Sequence, residues 1–252
     1  MVQSAMRAAV SRRQLLASTA VAALTGFAPP AVSRIYRGGG LPWEPDDTSP
    51  PIAVRPGPWL YFTADEAVAV EAIVDRLIPP DEAGPGGKEA GCAVFIDRQL
   101  AGAFGDSRRL YMHPPFAMGT PSQGLQSPIV PKKRYRLSLA ALDVYCKARF
   151  AGMVFAALSA IQQDQILYGL ENDEIALQGG SGKAFFEAIL ANTIEGFFAD
   201  PIYGGNRDMA GWRLVGFPGA RYDYRDHVAK HNQPYPLPPV SILGRSDWSV
   251  PD

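Results

Sequence analysis

The 252-residue chain carries 24 basic and 25 acidic residues, which gives a formal net charge of −1 at pH 7. This length fits one domain with a sizeable core, or one domain with long arms. No basic stripe stands out in the sequence, which argues against a nucleic-acid partner. The 23 prolines and 25 glycines cluster, and this clustering predicts long irregular stretches.

The first 33 residues have the pattern of a bacterial export signal. Arg12 and Arg13 form a twin-arginine motif, which precedes an apolar run at residues 15–28 and a small-residue cleavage candidate. Only 15 residues separate Arg13 from Pro29, fewer than the roughly 20 that span a bilayer. Removal of this segment and its three arginines would change the net charge to −4. The sequence leaves open whether the signal is cleaved or kept as an anchor.

A Pro- and Gly-rich arm follows at residues 34–58 and has neither helical nor strand periodicity. Trp43 lies within the arm and Trp59 directly after it. Large aromatic residues in such an arm usually lie against a protein surface, which here is either the chain's own domain or a partner.

Five helical segments are predicted within residues 59–220. The first begins at the capping box Thr63-Ala64-Asp65-Glu66 and stops at Pro79. The others are predicted at residues 90–104, at 134–148, from a cap at Ser159 to residue 170, and from a cap at Ser181 to Asp200. An irregular stretch at residues 113–131 interrupts them, and residues 221–252 form an irregular tail. The sequence therefore predicts a mainly α protein: an irregular helical domain of about five helices with long Pro/Gly-rich N-terminal and C-terminal arms.

Motifs that would hold a cofactor or a metal in this chain are missing from the sequence. Cys92 and Cys146 lie 54 positions apart without a CxxC motif, so they favour either a disulfide or two buried thiols. His227 and His231 have a spacing that suits a metal site on a helix. Prolines crowd them, and we interpret them as surface histidines. We predict no catalytic, cofactor-binding or metal-binding residue in this chain.

The segment after the last predicted helix is dense in aromatic residues and glycine. Its composition suits a protein–protein contact, and it equally suits a tail that folds back over its own core. With the two tryptophans of the arm region, the candidate partner-interface residues are Trp43, Trp59, Tyr203, Gly204, Gly205, Asn206, Arg207, Trp212 and Phe217.

At these motifs the chain resembles the gluconate 2-dehydrogenase subunit 3 family, the small (gamma) subunits of membrane-associated bacterial sugar and sugar-acid dehydrogenases. The resemblance covers most of residues 60–220. It rests on the twin-arginine signal and on several blocks of sequence, which are Thr63-Ala64-Asp65-Glu66, Ile73-Val74-Asp75-Arg76-Leu77-Ile78-Pro79, Phe95-Ile96-Asp97, Gly196-Phe197-Phe198-Ala199-Asp200-Pro201, Tyr203-Gly204-Gly205-Asn206-Arg207 and Gly211-Trp212.

The resemblance implies a heterotrimeric oxidoreductase complex in which this chain holds no cofactor. FAD would belong to a large flavoprotein subunit, and electrons would pass to a multihaem cytochrome c subunit and then to quinone. The complex would lie on the periplasmic side of the inner membrane, which this chain would contact through the complex. The substrate would be gluconate, 2-ketogluconate or another sugar.

Two functional hypotheses follow. In the first, the chain is a non-catalytic small subunit that stabilises the flavoprotein and supplies its twin-arginine export signal. In the second, it is a self-sufficient secreted enzyme or binding protein whose site has no recognised motif. The first hypothesis explains why a chain without a cofactor motif carries an export signal typical of folded proteins.

Overall fold

The computed structural model describes residues 57–117, 119–123, 127–177, 180–221 and 223–242. These residues contain six α-helices and no β-strand, which confirms the predicted mainly α class. The helices are α1 (Ala64–Leu77), α2 (Cys92–Ala101), α3 (Pro131–Arg149), α4 (Ala160–Glu171), α5 (Gly182–Phe198) and α6 (Ala210–Val215). The predicted export signal and Trp43 lie outside the described residues.

Helix α1 begins and ends where its local sequence predicts. The Thr63 hydroxyl accepts a hydrogen bond from the Glu66 amide, and the Glu66 carboxylate accepts one from the Thr63 amide at 2.9 Å. This reciprocal pair satisfies two amides that the first turn would otherwise leave free. The Ile78 amide caps the last turn on the Val74 carbonyl, directly before Pro79. The face that α1 buries consists of Ala67, Val70, Ile73 and Val74.

Helix α2 is shorter than the segment predicted at residues 90–104. It starts after Gly91, whose φ of 80° is left-handed, and it ends before Gly102. A Cβ on Gly105 would overlap the Leu100 carbonyl, so the chain can turn this tightly only at a glycine. Apolar spacing alone does not reveal these turns, which is why the predicted ends were wrong.

Helices α4 and α5 also begin at the predicted caps. Ser159 and Gln162 form a second capping box, and the Ser181 hydroxyl accepts a hydrogen bond from the Ala184 amide at 3.1 Å. Helix α5 is the centre of the packing, because it contacts all five other helices. Its buried residues meet those of α1 to α4 in one core, whose large, fully buried side chains include Ile73, Ile96, Leu100, Tyr135, Leu142, Phe155, Ile166, Leu170, Phe185 and Ile189.

The sequence did not predict α6, a helix of six residues between Met209 and Gly216, both of which have left-handed backbones. Beyond it the chain is irregular, yet it is tied back to the body. The Ala220 amide bonds to the Val240 carbonyl at 2.6 Å, and the Ile242 amide bonds to the Asp200 carboxylate at 2.9 Å.

Candidate functional site

The carboxylate of Asp97 holds the segment that leads into α1. Asp97 is buried on α2 and accepts hydrogen bonds from three consecutive backbone amides. The Leu60, Tyr61 and Phe62 amides donate to it at 2.7, 2.9 and 2.8 Å. A buried carboxylate needs such partners to offset its lost hydration. Asp97 of the Phe95-Ile96-Asp97 block therefore fixes the point at which the N-terminal arm joins the helical body.

Arg136 of α3 holds the same segment from the other side. Its guanidinium donates to the Glu66 carboxylate and, at 2.9 Å, to the Tyr61 carbonyl. It also lies over the Tyr61 ring, 4.4 Å from the ring centroid. The Tyr61 hydroxyl in turn donates to the Lys132 carbonyl, and burial raises the pKa of this hydroxyl. The start of α1 is thus held between α2 and α3.

Asn206 lies at the centre of the glycine-rich block after α5. Its side chain is fully buried. The amide group donates to the Ala199 carbonyl at 2.8 Å, and the side-chain oxygen accepts from the Gly211 amide at 2.9 Å. Asn206 therefore links the end of α5 to the first turn of α6, using both ends of its side-chain amide.

The backbone around Asn206 follows a path that few residues adopt. Asn206, Asp208 and Met209 all have positive φ angles, between 46° and 56°. Such conformations persist where the surroundings fix them. Here the Arg207 amide donates to the Ala90 carbonyl at 2.9 Å. Gly205 lies so close to α5 that a Cβ would overlap the Gly196 carbonyl.

Trp212 is also used within the chain's own fold. Its indole N–H donates to the Phe198 carbonyl at 2.7 Å, and its ring meets that of Phe217 edge-on at 5.2 Å. A Cβ on Gly211 would overlap the Phe197 carbonyl, which shows how closely α6 packs on α5. Gly205, Asn206 and Trp212 are therefore enclosed by this chain.

Other candidate interface residues remain open to solvent. Tyr203 and Phe217 each expose about half of their surface, at 51% and 47%. Arg207 is exposed as well, and its side chain makes no ion pair with the described residues. Trp59 is half-buried and meets Phe62 edge-on at 6.3 Å. A partner could contact these four side chains without unfolding the block.

Cys92 and Cys146 are both fully buried, and both thiols are free in this structure. Burial raises the pKa of Cys92 to about 12. Burial, together with the nearby charge of Asp143, raises the pKa of Cys146 to about 11. Both cysteines thus lie in environments that suit small apolar side chains. A disulfide between Cys92 and Cys146 stays a prediction.

The described surface includes two grooves lined by residues of the helices. One, of about 340 Å³, runs between α1 and α3 over a floor that includes Leu142 and Phe155. The other, of about 580 Å³, separates the loop before α2 from α6 and is lined by Glu89, Arg207, Asp208 and Arg213, among others. Within the described ranges, no three His, Cys, Asp or Glu side chains are grouped to hold a metal ion.

The gluconate 2-dehydrogenase subunit 3 family model matches residues 64–219, which is more than half of the chain. The chain belongs to this family. The matched range runs from Ala64, the first residue of α1, to Gly219, just beyond α6. It includes Asp97, Asn206 and Trp212. No curated protein and no solved structure gives a significant match.

Gluconate 2-dehydrogenase subunit 3 proteins are accessory subunits of a membrane-associated, multi-subunit dehydrogenase complex. The motif residues that carried the resemblance serve to hold the helices together in this chain. Asp97 and Asn206 bind the backbone of neighbouring segments, and Gly205 permits a close approach. As for the membrane, none of the described helices has both the length and the apolar character that a bilayer span requires.

Proposed function

We propose that this chain is the non-catalytic small subunit of a periplasm-facing, membrane-bound, FAD-dependent sugar-acid dehydrogenase. In this role it stabilises a flavoprotein subunit and carries the twin-arginine signal by which that flavoprotein is exported. A multihaem cytochrome c subunit completes the complex and receives the electrons.

The use of the motif residues within the chain is the observation that carries this proposal. The polar side chains of the family blocks bind backbone groups of the same chain, as Asp97 does with three amides and Asn206 does at both ends. Groups engaged in this way build a rigid body and are not free to act on a substrate. The same block leaves Tyr203, Arg207 and Phe217 on the outside of that body. A rigid body with exposed aromatic residues and arginine suits recognition of another protein.

Co-purification tests the association with the flavoprotein. The full-length chain is tagged and expressed in its native host, and the proteins retained with it are identified. We expect a stoichiometric FAD-containing subunit, and an obligate interface of this kind should bury about 2,000 Å² or more. A stable, partner-free monomer with its own bound cofactor or with sugar-oxidising activity would support the secreted-enzyme hypothesis instead.

Export is tested by replacing Arg12 and Arg13 with lysine. The substitution keeps the charge but removes the paired guanidinium groups of the signal. We expect the flavoprotein to remain in the cytoplasm with the small subunit. The matched control replaces Arg34 and Arg37, which follow the predicted signal, with lysine. In this variant we expect both chains to be exported normally. Arrival of the flavoprotein in the periplasm with the Arg12→Lys/Arg13→Lys chain would disprove the escort role.

A further inference from the structure

The fold gathers basic side chains that lie far apart in the sequence. Between residues 98 and 142 the chain has seven basic residues and one acidic residue, Asp106. The Lys132 amide donates to the Gly105 carbonyl at 3.1 Å, which places the start of α3 against the turn after α2. The Asp106 carboxylate brings Arg108 and Lys132 together there, and Arg109 and Lys133 are their neighbours in the chain.

This surface keeps an excess of positive charge. The Asp106 carboxylate binds both the Lys132 ammonium and, at 3.0 Å, the Arg108 guanidinium. Arg109 and Lys133 are exposed and make no ion pair with any described residue. These two short segments therefore carry four cations and one carboxylate, although the chain as a whole has a net charge of −1.

Two large apolar side chains stand beside these cations. Tyr111 exposes 82% of its surface, more than any other large apolar residue among those described. Leu110 exposes 67%, which only Tyr111, Ile161 and Val228 exceed. The Tyr111 ring meets His113 edge-on at 5.2 Å and stays largely exposed to solvent. Tyrosine suits the boundary between headgroups and acyl chains, because it has an apolar ring and a polar tip.

We propose that Arg108, Arg109, Lys132 and Lys133, with Leu110 and Tyr111, form a basic patch that binds the anionic phospholipid surface of the membrane directly. Basic side chains are attracted to anionic headgroups, and neighbouring apolar side chains enter the interface. The family belongs to a membrane-associated complex, so such a surface is within reach of this subunit. The patch would orient the subunit on the bilayer independently of any anchor in another subunit.

A fluorescent label at position 111 reports on the patch itself. Cys92 and Cys146 are buried, so the full-length Tyr111→Cys chain can be labelled selectively with an environment-sensitive dye. With vesicles of equal parts phosphatidylglycerol and phosphatidylcholine, we expect a blue shift that is absent with phosphatidylcholine alone. Tyr168→Cys, an exposed site on α4, is the control and should not shift. The comparison is local, so binding through the N-terminal signal does not mimic it.

Charge removal supplies the second test. The Arg109→Gln/Lys133→Gln chain lacks the two unpaired cations of the patch, and each should contribute about fivefold to vesicle binding. We expect a loss of about 25-fold relative to wild type. The matched control, Arg149→Gln/Arg213→Gln, removes two exposed arginines elsewhere and should bind nearly as wild type.

Three results would overturn the proposal. They are an unshifted dye at position 111 with anionic vesicles, equal binding of the two double variants, and a shift caused by purified flavoprotein or by an oligonucleotide but not by lipid. None of them affects the co-purification test, so the failure of this inference is distinguishable from the failure of the proposed function.

Discussion

The hydroxyl of Tyr135 donates a 2.8 Å hydrogen bond to the side-chain oxygen of Asn192, joining α3 to α5 inside the core. Burial raises the pKa of Tyr135 well above its ordinary value, so this hydroxyl keeps its proton at any physiological pH. The amide group of Asn192 donates to Glu195 at 3.0 Å. The core is thus joined by a polar contact as well as by apolar packing.

Replacement of Tyr135 with phenylalanine should destabilise the fold by about 1–3 kcal/mol, because the Asn192 oxygen would be left buried without this donor. Urea unfolding monitored by circular dichroism measures the change. Tyr168→Phe on the exposed face of α4 is the control and should change little. Equal stability of the two variants would mean that the Tyr135 bond contributes nothing.

Asp97→Asn should cost about 3 kcal/mol, because charged acceptors of backbone amides contribute about 1.5–3 kcal/mol each. Asparagine also has only one side-chain oxygen. Its NH2 group would therefore point at a backbone N–H that the carboxylate now accepts. Asp164→Asn is the control, since Asp164 binds Arg76 at 2.7 Å in an exposed ion pair. Such pairs contribute at most about 1 kcal/mol. Chemical denaturation of both variants decides the matter, and a smaller loss for Asp97 than for Asp164 would contradict the anchoring role.

Gly205→Ala should destabilise the chain by several kcal/mol or prevent its folding, because the new Cβ would overlap the Gly196 carbonyl on α5. Gly180→Ala is the matched control, since nothing lies within 4 Å of its added Cβ. Thermal unfolding and soluble yield measure the difference. A Gly205→Ala chain as stable as the control would show that α5 and the loop can separate freely.

Both cysteine thiols should be inert to a thiol reagent in the folded chain at pH 8 and reactive after unfolding. Their pKa values of about 12 and 11 lie above the ordinary value, so folding favours the protonated thiol. Stability from this source is full below the unfolded pKa. It falls as the pH rises through the interval between the unfolded and folded values, by about 1.4 kcal/mol per unit for each thiol. Unfolding curves at a series of pH values check the slope, which Cys92→Ala should reduce. A chain with no titratable thiol after unfolding without reductant would contain the disulfide.

Tyr203→Ser with Leu214→Ser should weaken co-purification of the flavoprotein without unfolding the small subunit, because both side chains are about half exposed. The control pair, Ile161→Ser with Tyr168→Ser, removes exposed apolar residues from α4 on another part of the chain. Equal recovery of the flavoprotein with both pairs would place its binding surface elsewhere. The circular dichroism spectrum of each variant verifies folding.

Local chemistry explains which parts of the fold the sequence could predict. Thr63, Ser159 and Ser181 cap their helices by accepting hydrogen bonds from residues three positions further along the chain. Each cap can therefore be predicted from a few consecutive residues. The proline after α1 likewise stops a helix by its own structure. These features placed the starts of α1, α4 and α5 correctly.

Contacts between distant segments could not be predicted in the same way. Asp97 reads as an ordinary helix charge until Leu60 and its neighbours fold onto it, 37 positions away. Asn206 and Gly205 stood out only as members of a motif, and nothing local shows that they are buried. The proximity of Arg108 and Lys132 could not be predicted either, because they meet at Asp106 only after distant segments pack together. Contacts between residues far apart in the chain are therefore the part of the fold that the sequence alone did not predict.

Asp200 connects the family region to the tail that continues beyond it. One carboxylate oxygen caps the Ile202 amide, and the other accepts the Ile242 amide from outside the matched range. Nearby, Val240 lies against Gly219, and Gly219 itself lies close to the Trp212 ring. The segment beyond the matched range is thus joined to it at two points, the Asp200 carboxylate and the bridge between Gly219 and Val240.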